Sequence, residues 1–198
     1  MKKSLFVLTL ATIASPALAE FPVGKVGVSV SPRSTFELDG IPDGDGNAVG
    51  AYAEFGSSSL FAYGDILRTG VDVRGVDIDI DETRVGVGAR TDIDRATLDV
   101  RVERYDIELD IVGTDVSDDG VGVLFGGALA LTPEVSIFAH YGFLSLDDLD
   151  GDEIRLGISG KLSDSAELYG AWRKVTLEDS ANDEADITDL RLGVNLLF

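Results

Sequence analysis

The residues with the plainest potential for chemistry are few. His140 is the only histidine and cysteine is absent, which removes thiol chemistry and disulfide staples. General acid–base work by His140 needs an orienting carboxylate or a nucleophile within hydrogen-bond reach. Its chain neighbours, Ala139 and Tyr141, supply neither. No phosphate-binding loop, glycine-rich dinucleotide signature or Cys/His cluster is present. Asp148, Asp150 and Asp152 have the one-three-five spacing of a calcium loop, but Glu153 stands in the glycine place and Ser159 in the twelfth. Asp43, Asp45 and Asn47 lead to Glu54 at the twelfth place, with Ala48 instead of glycine. Both are weak matches. The reading is therefore no enzyme and no cofactor, with divalent cations at the acidic stretches as the one metal partner left open.

The remaining charges are informative through their spacing, because they alternate with apolar residues at period two. That period belongs to strands with one apolar and one polar face. Ten such strands can be read: Val23 to Val30, Ala48 to Phe55, Leu60 to Thr69, Thr83 to Arg90, Ala96 to Tyr105, Val121 to Leu131, Val135 to Leu146, Ile154 to Leu162, Ala166 to Leu177 and Ile187 to Phe198. An eight-stranded count stays open if the third and fourth do not both belong to the same sheet. The connections after strands two, four, six and eight are short turns. The other five stretches are longer and acidic, which reads as long loops on the opposite side.

Two stretches fall out of phase with their strands. Val76 to Asp81 alternates against Val85 and Val87, and Ile107 to Ile111 against Leu98 and Val100. Hairpin arms reached through a bulge or bend, with their apolar sides packed together above the barrel, would account for both.

Opposite the apolar stripes lie Lys25, Arg84, Arg90, Arg101, Arg155, Lys161, Arg173 and Arg191, and with them Glu54, Asp65, Asp99, Glu103, Glu167 and Asp189. Near-equal numbers of opposite charge on one face allow pairing in a lumen. His140 falls on the same face. Inward glycines such as Gly86, Gly88, Gly157 and Gly193 would leave room beside the arginines for a narrow channel.

Composition sets the outer limits. Lys2 and Lys3, the apolar run Leu5 to Ala14 and Ala17-Leu18-Ala19 form the three parts of a secretory signal peptide, residues 1–19. Its loss leaves 14 basic against 36 acidic residues, a net charge of −22, in one domain of residues 20–198. Such acidity repels nucleic-acid phosphates, so no nucleic-acid partner is expected. Solvated acidic loops would keep the exposed surface soluble.

The final strand carries the most specific signal. Leu190, Leu192, Val194, Leu196 and Phe198 share one face, and Arg191 and Gly193 lie on the other. A polar residue, glycine two places on, then two hydrophobics around one spacer with a terminal aromatic is the pattern of Arg191, Gly193, Leu196 and Phe198. It resembles the closing strand of the small Gram-negative outer-membrane β-barrels, of the OmpA-like or porin sort. The resemblance covers residues 20–198 and implies an all-β, closed, antiparallel up-and-down transmembrane barrel with short periplasmic turns and long acidic extracellular loops. It also implies the outer membrane as location, membrane lipid and lipopolysaccharide as surroundings, and recognition of the last strand by the barrel-assembly machinery. Barrel enzymes of this membrane carry Asp-x-His or His-x-Ser arrangements; here Phe138 and Gly142 hold the Asp and Ser places. A structural or surface-interaction role is the favoured expectation, and a small diffusion channel for ions or polar solutes is the alternative.

Overall fold

Ten strands in unbroken antiparallel succession make up the computed structural model, which describes residues 23–38, 41–111, 114–181 and 183–198. The expected signal peptide lies outside these residues. The strands are β1 (Val23–Leu38), β2 (Ile41–Gly56), β3 (Leu60–Val73), β4 (Val76–Ile93), β5 (Ala96–Ile111), β6 (Thr114–Ala130), β7 (Val135–Leu146), β8 (Leu149–Ser163), β9 (Ala166–Asp179) and β10 (Glu184–Leu197). Each pairs with its chain neighbours, and β1 pairs with β10 to close the barrel. At the seam the Gly24 amide donates to the Phe198 carbonyl at 2.8 Å, and the Phe198 amide donates back at 3.0 Å. Closure leaves no free ladder edge, the condition for backbone to cross lipid. The count is ten.

Face assignments follow the alternation. Asp65, Arg84, Arg101, Arg173 and Arg191 point inward, while Val28, Val49, Val87, Phe125, Leu156 and Leu192 stand exposed on the outside. In water such a surface would be a large liability; in lipid it is the contact surface.

The long acidic stretches are not loops. Among the described residues they are the outer halves of the strands. Between β3 and β4 only Arg74 and Gly75 intervene, both with positive φ (54° and 86°). That is the backbone of a two-residue hairpin turn whose twist matches its strands. The bulges expected below Val76 to Asp81 and Ile107 to Ile111 are absent too. Register runs without a shift from β3 through β4 and β5 to β6. Irregularities occur instead in β1, between Val30 and Ser34 and between Phe36 and Leu38, and at the β8–β9 end between Lys161 and Ser163.

What changes along each strand is which face is apolar. On the outside, Ile66 gives way to Arg68, Val85 to Thr83 and Asp81, Val102 to Arg104 and Asp106, Ile154 to Asp152, and Trp172 to Lys174. On the inside, at the same level, Glu82 gives way to Ile80 and Ile78, Tyr105 to Ile107, Arg173 to Val175 and Leu177, and Asp189 to Ile187. The membrane half is polar within and apolar without. The outer half is the reverse, a barrel built like a water-soluble one around a core of its own. The eight residues from Val76 to Thr83, at about 3.3 Å each and tilted by about 40°, carry it roughly 20 Å beyond the apolar band.

Candidate functional site

The lumen is built in three storeys. The outermost is the apolar core: Phe36, Val71, Ile78, Ile80, Ile107, Leu144, Val175, Leu177 and Ile187, with Val73, Tyr105 and Leu146 beside them, form one buried cluster contributed by seven strands. Ile80 and Val175 have no exposed surface at all. The expected packing of the apolar sides of Val76 to Asp81 and Ile107 to Ile111 exists, but inside the barrel and not above it.

Below the core lies a layer of buried, cross-linked charge. Arg173 donates to Glu82 through both terminal nitrogens, at 2.6 and 2.7 Å, and through Nε to Asp189 at 2.7 Å. Arg84 reaches Glu153 at 2.5 Å, Glu103 at 3.0 Å and Glu82 at 3.4 Å, and stacks over the Tyr105 ring. Arg191 donates to Asp189 at 2.8 Å and to Asp65 at 3.1 Å. The Tyr105 hydroxyl donates to Glu82 at 2.8 Å, and that of Tyr63 donates to Glu103. Desolvated charges are tolerable only when paired and hydrogen-bonded like this.

The third storey is a chamber of about 300 Å³ toward the short turns that follow β2, β4, β6 and β8. Glu54 accepts from Arg90 at 2.8 Å and from the Tyr52 hydroxyl at 2.5 Å, and Lys25 lies 3.9 Å from it. Arg101 donates to Asp99 at 2.7 Å, and His140 Nε2 lies 3.0 Å from Asp99 and 3.2 Å from Arg101. Arg155 donates upward to Glu153 at 2.7 Å. Glu167 accepts from Asn195 at 3.0 Å. Lys161, register partner of Glu167, is exposed at the rim.

Of the lumen charges named from the sequence, all but the exposed Lys161 are buried or half-buried in the barrel, and two further carboxylates join them. Glu82 and Glu153 anchor Arg173, Arg84 and Arg155. The signal was present: Ile78, Ile80, Glu82 and Arg84 share one unbroken parity. The inward glycines also act otherwise than expected. Gly88 is covered by the Phe61 ring and Gly193 by the Tyr169 ring, so close that a Cβ would lie 2.3 and 2.4 Å from ring carbons. They make room for aromatic side chains from the next strand, not for a channel.

Of the closing-strand residues, Arg191 and Gly193 face the lumen, Leu196 faces out, and the Phe198 ring lies 6.0 Å from that of Phe55. The acidic triplets do not curl around a cation. Asp43 and Asp45 lie on one face of β2, Asp150 and Asp152 on one face of β8, and Asp148 in the turn before it. Alternate residues of a strand stand about 7 Å apart along an extended backbone, whereas a calcium loop folds back on itself to bring its ligands together. Among the described residues no group of three or more His, Cys, Asp or Glu side chains is arranged to hold a metal ion. On the outer surface Asp186, hydrogen-bonded to Lys174, holds that ammonium's pKa above its ordinary value, and Asp81 does the same for Arg68.

No protein-family model matches the chain, and no curated protein matches it. Solved structures do. An outer membrane channel from Pseudomonas putida F1 superposes with a TM-score of 0.54 at 9% identity, over 88% of this chain and 95% of that one. The β-domain of the Bordetella autotransporter BrkA gives 0.51 at 12% identity, over 89% and 99%. This chain has the fold of the outer-membrane β-barrels. Neisserial surface protein A is also similar, with a TM-score of 0.44 at 17% identity over 88% and 96%. At such identities the likeness is one of fold, so the task of this barrel has to be read from its own lumen and surface.

Proposed function

We propose that the protein is a closed, non-conducting barrel of the cell envelope, whose acidic outer half is its working surface. The observation that carries this reading is the stacking of two seals. A solute entering from the periplasmic side meets the Glu82–Arg173–Asp189 layer and then an apolar core with fully buried Ile80 and Val175. An open polar path needs polar lining, and among the described residues the outer storey is filled by the apolar cluster, with Thr69 opposite Ile80 as a buried polar neighbour. Export by residues 1–19 and assembly through Arg191, Gly193, Leu196 and Phe198 belong to the same proposal. His140 is assigned a packing role: its Nε2 is engaged by Asp99 and Arg101, and its Nδ1 has no hydrogen-bonding partner among the described residues.

Single-channel recording of the refolded protein in a planar bilayer tests the reading. Heat-shifted gel mobility first establishes that the barrel has closed. A silent bilayer is the expected result. Discrete conductance steps that change when Arg101 is replaced by Gln would instead make it a diffusion channel.

A further inference from the structure

We infer that the periplasm-facing chamber is a binding site for a small oxyanion, of the phosphate or carboxylate class. The argument begins with which charges reach the cavity surface. Lys25, Arg90, Arg155 and Arg101 keep 30, 21, 18 and 13% of their side-chain surface accessible, against 5, 8 and 10% for Glu54, Asp99 and Asp65. Glu54 and Asp99 are sunk behind the cations that pair with them, Asp65 is held by the deeper Arg191, and Glu167 stands half-buried at the mouth. A lumen nearly balanced in formal charge therefore presents a cationic wall.

The pairing also leaves donors unused. Arg191, more than nine-tenths buried at the chamber's inner end, spends Nε on Asp189 and one terminal nitrogen on Asp65, while its Nη2 has no partner. Arg90 Nε is likewise unpartnered. A buried guanidinium N–H without an acceptor is costly, and forked guanidinium donors suit an oxyanion better than any neutral group. A cationic ligand would meet the wrong sign. At about 300 Å³ the space is at the lower end of small-molecule sites. It is closed on the far side by the charge layer, so the ligand enters and leaves by the periplasmic mouth, past Lys25 and Glu167.

The inference goes beyond the closed-barrel reading and fails separately from it, since conductance reports on the seals and binding on the chamber. Inorganic phosphate is titrated into the refolded protein in zwitterionic detergent at constant ionic strength, with the arginine Nε–H resonances followed by NMR. Saturable shifts are expected at Arg90, Arg155 and Arg191, with none at Arg68 and Arg104 on the outer surface. Removing one charge-assisted hydrogen bond by Arg155→Gln should weaken binding about tenfold, and Arg104→Gln should leave it unchanged. Should Arg155→Gln fail to fold, Lys25→Gln at the more exposed mouth takes its place. Absent shifts, shifts linear in phosphate, or an equal response at Arg104 would overturn the assignment.

Discussion

Glu82 carries more of the lumen than any other single carboxylate. It takes two hydrogen bonds from Arg173, one from Tyr105 and one from Arg84, all in a layer almost closed to solvent. Glu82→Ala would leave Arg173 and Arg84 short of acceptors in a desolvated place, and breaking one side of such a network costs about 3–5 kcal/mol. Reversible urea unfolding in detergent or lipid vesicles should show that loss. Lys161→Ala, at the exposed rim, should stay within about 0.5 kcal/mol of the parent. Alternation was enough to place Arg84, Arg173 and Asp189 in the lumen. It did not place Glu82 and Glu153, because a run of acids looks like a solvated loop when only composition is weighed. Nor could it show who pairs with whom: Glu82 and Arg173 are 91 residues apart and meet only across the closed cylinder.

At the scale of the strand, β4 shows how the apolar face changes sides along one straight backbone. Its inward face runs Ile78, Ile80, Glu82, Arg84, and its outward face Asp77, Asp79, Asp81, Thr83, Val85, so the apolar side changes halfway while the backbone runs straight on. A sequence reader who expects apolar residues to face lipid everywhere must insert a bulge there. Water outside the outer half removes the need, since a strand in water buries its apolar face. Amide hydrogen exchange distinguishes the two structures directly. Residues 76–81 and 106–110 should be protected as strongly as the membrane-embedded ladder, where loops would exchange within seconds to minutes. Packing energy should follow the same division. Ile80→Ala should cost about 2–5 kcal/mol in the unfolding measurement, and Asp79→Ala, one residue away on the wet face, should cost almost nothing.

For the whole molecule, the reversal of faces concentrates negative charge on a belt around the outer half. The register sets acids directly opposite acids: Asp45 against Asp72, Asp72 against Asp77, Asp106 against Asp119, and Glu178 against both Asp150 and Glu184. Like charges facing each other across a ladder are destabilising. Few basic groups offset them on that surface; Arg68, Arg104 and Lys174 each already pair with an acid. Exposed repulsion is screened by salt over a distance of about 10 Å at 0.1 M, whereas the buried Arg173–Glu82 layer is beyond the reach of mobile ions. Salt should therefore strengthen this barrel. The urea midpoint is expected to rise between 10 mM and 500 mM sodium chloride, and Asp72→Asn should raise the low-salt midpoint while reducing its dependence on salt. A midpoint that falls with salt would mean that attractive surface pairs dominate, and the acidic belt would then contribute to stability instead of opposing it. A rise would mean that the fold tolerates a standing repulsion on this surface, which is the behaviour of a face kept for contact with something outside the barrel.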